Sequence, residues 1–206
     1  SIDAYVSEFI TKHPNATIVT LGAGLCTRFS RVDNGTINWL EFDLPDVKEV
    51  WLEFNEETDR HKYYTDSIFE ENWLEVVKNE ANGPIMFTAE GLLMYFSKEE
   101  VTSLLQTLSK HFPNGEIVAE IYSKIALKRR HPDVKKTSAI KFKAPWGVVN
   151  GKEFEKWNVG VKHLKDDFIT NHSNAMKRMP VLNKSMAQLP FFRKVGKMVH
   201  LRFETN

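Results

Sequence analysis

Short β-branched runs alternate along this chain with stretches in which apolar residues recur at helical spacing. That alternation predicts a mostly parallel sheet with helices on both faces. Thr17-Ile18-Val19-Thr20-Leu21 reads as a first strand and runs into Gly22-Ala23-Gly24. A short helix and an Asp33-Asn34-Gly35 turn follow, then a second strand over Thr36 to Asp43, stopped by Pro45. Val47, Val50, Trp51 and Phe54 fall at i, i+3, i+4 and i+7, which predicts a helix laying that stripe on the sheet. Lys62 to Thr65 makes a third strand, and Ile85 to Ala89, opened by Pro84, a fourth. Ser97 with Glu100 has the spacing of a capping box, and Val101, Leu104, Leu105 and Leu108 form the buried face of the helix it starts. Pro113-Asn114-Gly115 breaks that helix before a fifth strand, Glu116 to Tyr122. Lys197 to Phe203 alternates as a closing strand, with Val161 to Ile169 a candidate to pair with it. Residues 123 to 160 are irregular, basic and contain Trp and Pro, and read as an insertion over the sheet's edge.

Composition narrows the class. The chain has 206 residues, 42% hydrophobic and 12% aromatic, which fits one globular domain with a sizeable core. No run approaches the ~18 apolar residues of a membrane span, and the first residues lack the basic and apolar blocks of a secretion signal. A lone cysteine, Cys26, excludes an internal disulfide and a cysteine-based zinc cluster, so a reducing, cytoplasmic setting and no metal are expected. The formal charge of +1 argues against a nucleic-acid surface. Residues 41 to 80 hold thirteen Asp/Glu against four Lys/Arg, while residues 124 to 143 hold eight Lys/Arg against one Asp. These are either two solvated faces, or a basic stretch that attracts an anionic acceptor.

In an open α/β sheet, ligands sit at the carboxyl ends of the strands, where the strand order reverses. The residues just past each strand are therefore the informative ones. Gly22-Ala23-Gly24 allows a tight turn and close backbone approach. Asp43, 21 residues after Gly22, is suited to accept hydrogen bonds from a ribose. Asp66 and Ser67 stand where an adenine amino group would need an acceptor, or else begin the helix around Trp73. Glu90 stands near the reactive end of such a cofactor, or else caps a helix. A dinucleotide fingerprint would place a third glycine where this chain has Thr27. A phosphate-free ligand, S-adenosyl-L-methionine, suits this turn better.

The run Leu21-Gly22-Ala23-Gly24-Leu25-Cys26-Thr27-Arg28-Phe29 is similar to the glycine motif of the leucine carboxyl methyltransferase and polyketide O-methyltransferase family. Trp39 to Pro45, Ala89-Glu90-Gly91-Leu92-Leu93-Met94-Tyr95-Phe96 and Val199 to Phe203 resemble its later motifs, in order and over nearly the whole chain. The resemblance is greatest to the bacterial small-molecule, tetracenomycin-type branch. It implies a Rossmann-like class I methyltransferase sheet with an antiparallel C-terminal strand, in one domain whose segment near 123–160 caps the substrate. It also implies cofactor roles for Gly22, Ala23 and Gly24 at the turn, Asp43 at the ribose, Asp66 and Ser67 at the adenine, and Glu90 at the methionine end. Two departures stand out. The family usually has Asp where this chain has Cys26, and its helical N-terminal segment, with an arginine for the cofactor carboxylate, lies before this chain's start.

Methyl transfer from a sulfonium needs no protonation of the leaving group, so alignment and water exclusion dominate. A carboxylate acceptor requires no base, whereas a hydroxyl would be helped by one. The sequence offers no clear base: His131 in the basic insertion is the best-placed histidine but reads more readily as an ordinary surface one, and Tyr95 after the fourth strand is a candidate acceptor-side residue. His200, on the closing strand, reads as a satisfied core residue, and Cys26 as a buried thiol at a helix start. Trp146 and Trp157 either line an aromatic acceptor pocket or anchor the insertion. The expected activity is O-methylation of a small, anionic or aromatic, polyketide-like acceptor. The alternatives are a nucleotide-dependent oxidoreductase and a non-catalytic S-adenosylmethionine-binding module.

Overall fold

The structure is a computed structural model that describes residues 2–70, 72–123, 146–168 and 196–205. Its elements in chain order are α1 (Ile2–Lys12), β1 (Thr17–Leu21), α2 (Arg28–Val32), β2 (Asn38–Phe42), α3 (Pro45–Trp51) and β3 (His61–Tyr64). They continue with α4 (Asn72–Glu80), β4 (Ile85–Ala89), α5 (Lys98–His111), β5 (Glu116–Tyr122), β6 (Val161–Phe168) and β7 (Gly196–Phe203). Short 3-10 stretches at Leu93–Tyr95 and Gly151–Trp157 complete the described elements.

The seven strands form one sheet in the order β3-β2-β1-β4-β5-β7-β6. The first five are parallel, and β7 pairs antiparallel with both β5 and β6. Connections leave β1 toward β2 on one side and return to β4 on the other, so the order reverses at β1. That reversal opens a crevice beyond the carboxyl ends of β1 and β4. Strand alternation divides the core between the two faces. Val19, Leu21, Leu40, Phe42, Phe87 and Ile117 pack with Trp73 and Val77 of α4 and with Val101, Leu104, Leu105 and Leu108 of α5. Ile18, Trp39, Met86, Val118 and Met198 pack on the opposite face against Ile2, Tyr5, Val6, Phe9 and Ile10 of α1.

Most sequence-based elements stand where expected, including the Ser97–Glu100 capping box, in which Ser97 Oγ accepts from Glu100 N–H and Glu100 returns a bond to Ser97 N–H. The second strand starts later than Thr36, because the Asn34 side chain accepts from the Thr36 and Ile37 amides and holds them in a turn. The third strand begins one residue earlier, at His61. The helix after Pro45 is shorter than its apolar stripe implied. It ends at Trp51, leaving Val50 and Phe54 exposed, Phe54 by 72%, with Trp51 alone of the four fully buried. Helix α1 was not anticipated at all. Of the insertion, residues 124–145 lie outside the described residues. Its later part, Gly151–Trp157, packs against β6 and β7 so closely that a Cβ on Gly151 would lie 2.4 Å from a Val199 methyl. No helix among the described residues is long and apolar enough to cross a membrane.

Candidate active site

The crevice is built first from the turn after β1. Gly22 (φ +63°) and Gly24 (φ +55°) both adopt the left-handed conformation that non-glycine residues avoid. The amides of Gly22 and Ala23 donate to the Phe42 carbonyl at 2.8 and 3.1 Å, which pins the turn to the end of β2. A Cβ on Gly22 would sit 2.6 Å from Leu92 in the loop after β4, so glycine there lets the two loops meet. At Gly24 a Cβ would meet nothing within 4 Å among the described residues. Among these residues the backbone at Gly24 thus borders open space.

Asp43 follows β2 and is half-buried. Its Oδ2 accepts from the Gly24 amide at 2.7 Å and its Oδ1 from the Leu44 amide at 2.7 Å. An ionised carboxylate has about four acceptor positions, so each oxygen keeps capacity for a further hydroxyl donor. Tyr63 of β3 donates its phenol to the Gly24 carbonyl at 3.3 Å. Burial, with the charges of Asp43 and Glu41, pushes the Tyr63 phenol well up and keeps that donor protonated.

Glu90 follows β4 and caps no helix. The next element, Leu93–Tyr95, has Leu92 at its N-cap without any side-chain bond, and the Glu90 carboxylate is instead engaged by Arg28 Nη2. Arg28 begins α2 and also donates to Asp3 at 2.8 Å and to the Cys26 sulfur at 3.3 Å. Burial pushes the Cys26 thiol up, so it serves as a neutral acceptor rather than a nucleophile. Beside Glu90, the Gly91 amide donates to Glu120 at 2.8 Å, and Tyr122 donates to the same carboxylate at 2.5 Å.

The structure therefore links Gly22, Ala23, Gly24 and Asp43 directly, and reaches Glu90 through the Leu92 loop and Arg28. Asp66 and Ser67 lie past β3, one strand further out. Ser67 accepts from the Phe69 amide at 3.3 Å, closing a local turn before α4 rather than capping that helix at Asn72. Tyr95 is half-buried on the turn after Glu90, and His131 lies outside the described residues. Trp146 is buried, donates to the Phe96 carbonyl at 2.7 Å and packs edge-on against Trp157, the geometry of an anchor. His200 is satisfied, as expected, by Glu116 at 2.7 Å.

Arg28, Asp3, Tyr63, Glu120 and Tyr122 were missed. Arg28 lies inside the glycine motif, but its partners stand 25 residues before it and 62 after it. No local pattern ties them together.

Carboxylates posted at the ends of β2 and β4, and a glycine turn bordering open space, suit a phosphate-free adenosyl ligand. Among the described residues, the one cation buried there, Arg28, already has carboxylate partners. Comparison with known proteins agrees. The chain is 25% identical over 202 residues to the tetracenomycin polyketide synthesis O-methyltransferase TcmP of Streptomyces glaucescens, covering 94% of this chain and 73% of that protein. Its fold is similar to that of an S-adenosylmethionine-dependent methyltransferase from Mesorhizobium loti (TM-score 0.63, 14% identity, 95% and 97% of the two chains). It is also similar to a DUF574 family protein from Streptomyces avermitilis (TM-score 0.68, 10% identity, 98% and 80%). The leucine carboxyl methyltransferase family model matches residues 1–109, more than half of the sequence and including strands β1 to β4. The chain belongs to the leucine carboxyl methyltransferase family and is an S-adenosylmethionine-dependent methyltransferase.

Proposed function

We propose that this enzyme methylates an oxygen, carboxylate or hydroxyl, of a small polyketide-like acceptor. In this reading Gly22, Ala23 and Gly24 hold the cofactor along the turn, Asp43 takes the ribose hydroxyls, Asp66 and Ser67 the adenine side, and Glu90 the methionine end. The observation that carries it is the 2.7 Å bond from the Gly24 amide to Asp43 Oδ2, which fixes the carboxylate beside the open space at the glycine turn. The similarity to TcmP, named for polyketide O-methylation, supports the acceptor class.

Bound S-adenosylmethionine supplies a methyl group on a sulfonium that leaves without protonation. What the chain itself contributes is placement and the exclusion of water. A carboxylate acceptor arrives ionised and asks for no base. A hydroxyl acceptor would be helped by a base; Tyr95 stands on the acceptor side of the site, where its phenol can hydrogen-bond and orient such an acceptor. The segment near 123–160, whose later part is anchored through Trp146, serves as the substrate cap. Its basic stretch, eight Lys/Arg within residues 124–143, draws in anionic acceptors.

Transfer of a labelled methyl group to a panel of aromatic carboxylic acids and phenols tests this reading. Base-labile products mark esters and stable ones mark ethers. Binding of S-adenosylhomocysteine with no transfer across the panel would reduce the protein to a binding module. Binding of a nicotinamide dinucleotide in place of S-adenosylhomocysteine would overturn the cofactor reading. Asp43→Ala is expected to weaken S-adenosylhomocysteine binding by roughly 1–3 kcal/mol in a calorimetric titration, the cost of leaving hydrogen-bond partners unmatched. Unchanged affinity would remove Asp43 from the ribose.

A further inference from the structure

We propose that Arg28 is a positioning residue that fixes Glu90 for the cofactor's ammonium group and, through Asp3, couples helix α1 to occupancy of that end of the site. The inference rests on the reading of Glu90 as the methionine-end residue.

Arg28 has a side chain only 5% exposed. A guanidinium cannot shed its charge, so burying one is unfavourable unless acceptors surround it. Three do, and they come from different parts of the chain. Nε donates to Asp3 Oδ1 of α1 at 2.8 Å, Nη1 to the Cys26 sulfur of the glycine turn at 3.3 Å, and Nη2 to Glu90 Oε2 after β4. Asp3 is in turn held from the solvent side by Arg31, whose Nε reaches Oδ2 at 2.8 Å and whose Nη2 reaches Oδ1 at 3.1 Å. Glu90 is different in kind. Its side chain is half exposed, and only Oε2 is engaged by the described residues.

A strut that merely tied α1 to α2 would need Asp3 and the two arginines. It would not need to extend to a half-exposed glutamate at the crevice. The extension has a physical consequence. A free glutamate side chain loses rotamer freedom when it captures a cation, whereas one pinned at Oε2 has already lost it and presents Oε1 ready. An ammonium group brings up to three donors and can use that free oxygen. By linkage, whatever steadies Glu90 from the ligand side also steadies Arg28, Asp3 and the helix that carries Asp3.

Two ligands separate this role from a structural one. S-adenosylhomocysteine carries the amino-acid end, and 5′-methylthioadenosine lacks it. In calorimetric titrations Arg28→Met is expected to weaken S-adenosylhomocysteine roughly three- to tenfold, the cost of immobilising one flexible side chain on binding, and to leave 5′-methylthioadenosine unchanged. Arg28→Lys, which keeps the charge but not the fork, is expected to recover only part of the loss. Adding Glu90→Ala to Arg28→Met should cost less than Glu90→Ala alone, since the two residues act as one unit. Equal weakening of both ligands, or no change for either, overturns the proposal. A measurement on the unmodified protein stands beside these. Amide hydrogen exchange across Val6–Ile10, beyond the unpaired first turn of α1, should slow with S-adenosylhomocysteine and not with 5′-methylthioadenosine. The same slowing with both ligands overturns the coupling. Failure of the unmodified protein to bind S-adenosylhomocysteine overturns the cofactor reading itself, a result distinct from either.

Discussion

At the scale of single residues, the site divides by how far apart its partners lie in the chain. That Gly22, Gly24 and Asp43 would come together was legible because strand ends expose a few positions and because a tight turn there favours glycine. Arg28 was not, since its value comes from Asp3 and Glu90, which only folding brings to it. Asp3 shows what such an arrangement does to acid stability. Burial alone would raise its carboxyl, but hydrogen bonds from Arg31 and Arg28 outweigh that and hold it down at about 2, against an ordinary 3.8. A depressed folded-state value means that the stabilisation is fully present above the ordinary value and fades as pH falls through the folded one. Allowing for its partial exposure, the pairing contributes on the order of 1–2 kcal/mol at neutral pH. Asp3→Asn should therefore lower stability by about that much at pH 7, and urea unfolding should show the gap to the unmodified protein closing between pH 4 and pH 2. A gap that stayed constant with pH would mean that Asp3 acts by packing rather than charge.

At the scale of elements, periodicity succeeded where burial was two-sided or strongly capped, and failed where it was partial. Helix α5 was readable because its start and its buried face are both written in the sequence, and the structure shows the two working together. The capping box satisfies amides at Ser97 and Glu100, and the next turns place Val101, Leu104, Leu105 and Leu108 against the sheet. Ser97→Ala removes an acceptor from the Glu100 amide and is expected to lower stability by about 1 kcal/mol, within the range for lost N-caps. Thermal unfolding would register this, and restoration by Ser97→Asp would confirm the cap as the cause. Helix α3 carries an equally good stripe and stops short of it. Past Trp51 the chain makes turn bonds, Phe54 to the Trp51 carbonyl at 3.1 Å and Asn55 to the same oxygen at 3.0 Å. The chain then turns back for β3 at the sheet's edge, where none of the described residues covers Phe54. The stripe recorded apolar residues, not whether a second surface existed to bury them. Helix α1 is the converse. Ile2, Tyr5, Val6, Phe9 and Ile10 follow helical spacing and are all buried, a stripe as regular as that of α5 but without a capping box to mark its start.

At the scale of the whole molecule, the sequence pointed to a mostly parallel sheet with its ligand at the carboxyl ends of the strands, and the structure adds the strand order, which reverses at β1 and opens the crevice there. What could not be foreseen is how the far side of the sheet is tied to that crevice. The returning strand β7 lies between β5 and β6, and the Gly151–Trp157 stretch closes over β6 and β7. One tie then runs from this flank back to the site, since Trp146 Nε1 donates at 2.7 Å to the carbonyl of Phe96, directly after the Leu93–Tyr95 turn. Trp146 also packs against Phe154 and Trp157, so the tie is set in an aromatic cluster. Trp146→Phe keeps much of the apolar contact and deletes the donor, leaving the Phe96 carbonyl without this partner. The expected loss is about 1–2 kcal/mol of stability, the cost of an orphaned acceptor at a partly buried position. Because the tie ends at the turn that bears Tyr95 and not at the glycine turn, S-adenosylhomocysteine affinity should hold while the KM for an accepted substrate rises. Unfolding curves, titration and steady-state kinetics on the same variant decide the matter, and a fall in cofactor affinity equal to the rise in KM would show that the flank supports the cofactor crevice rather than the acceptor side.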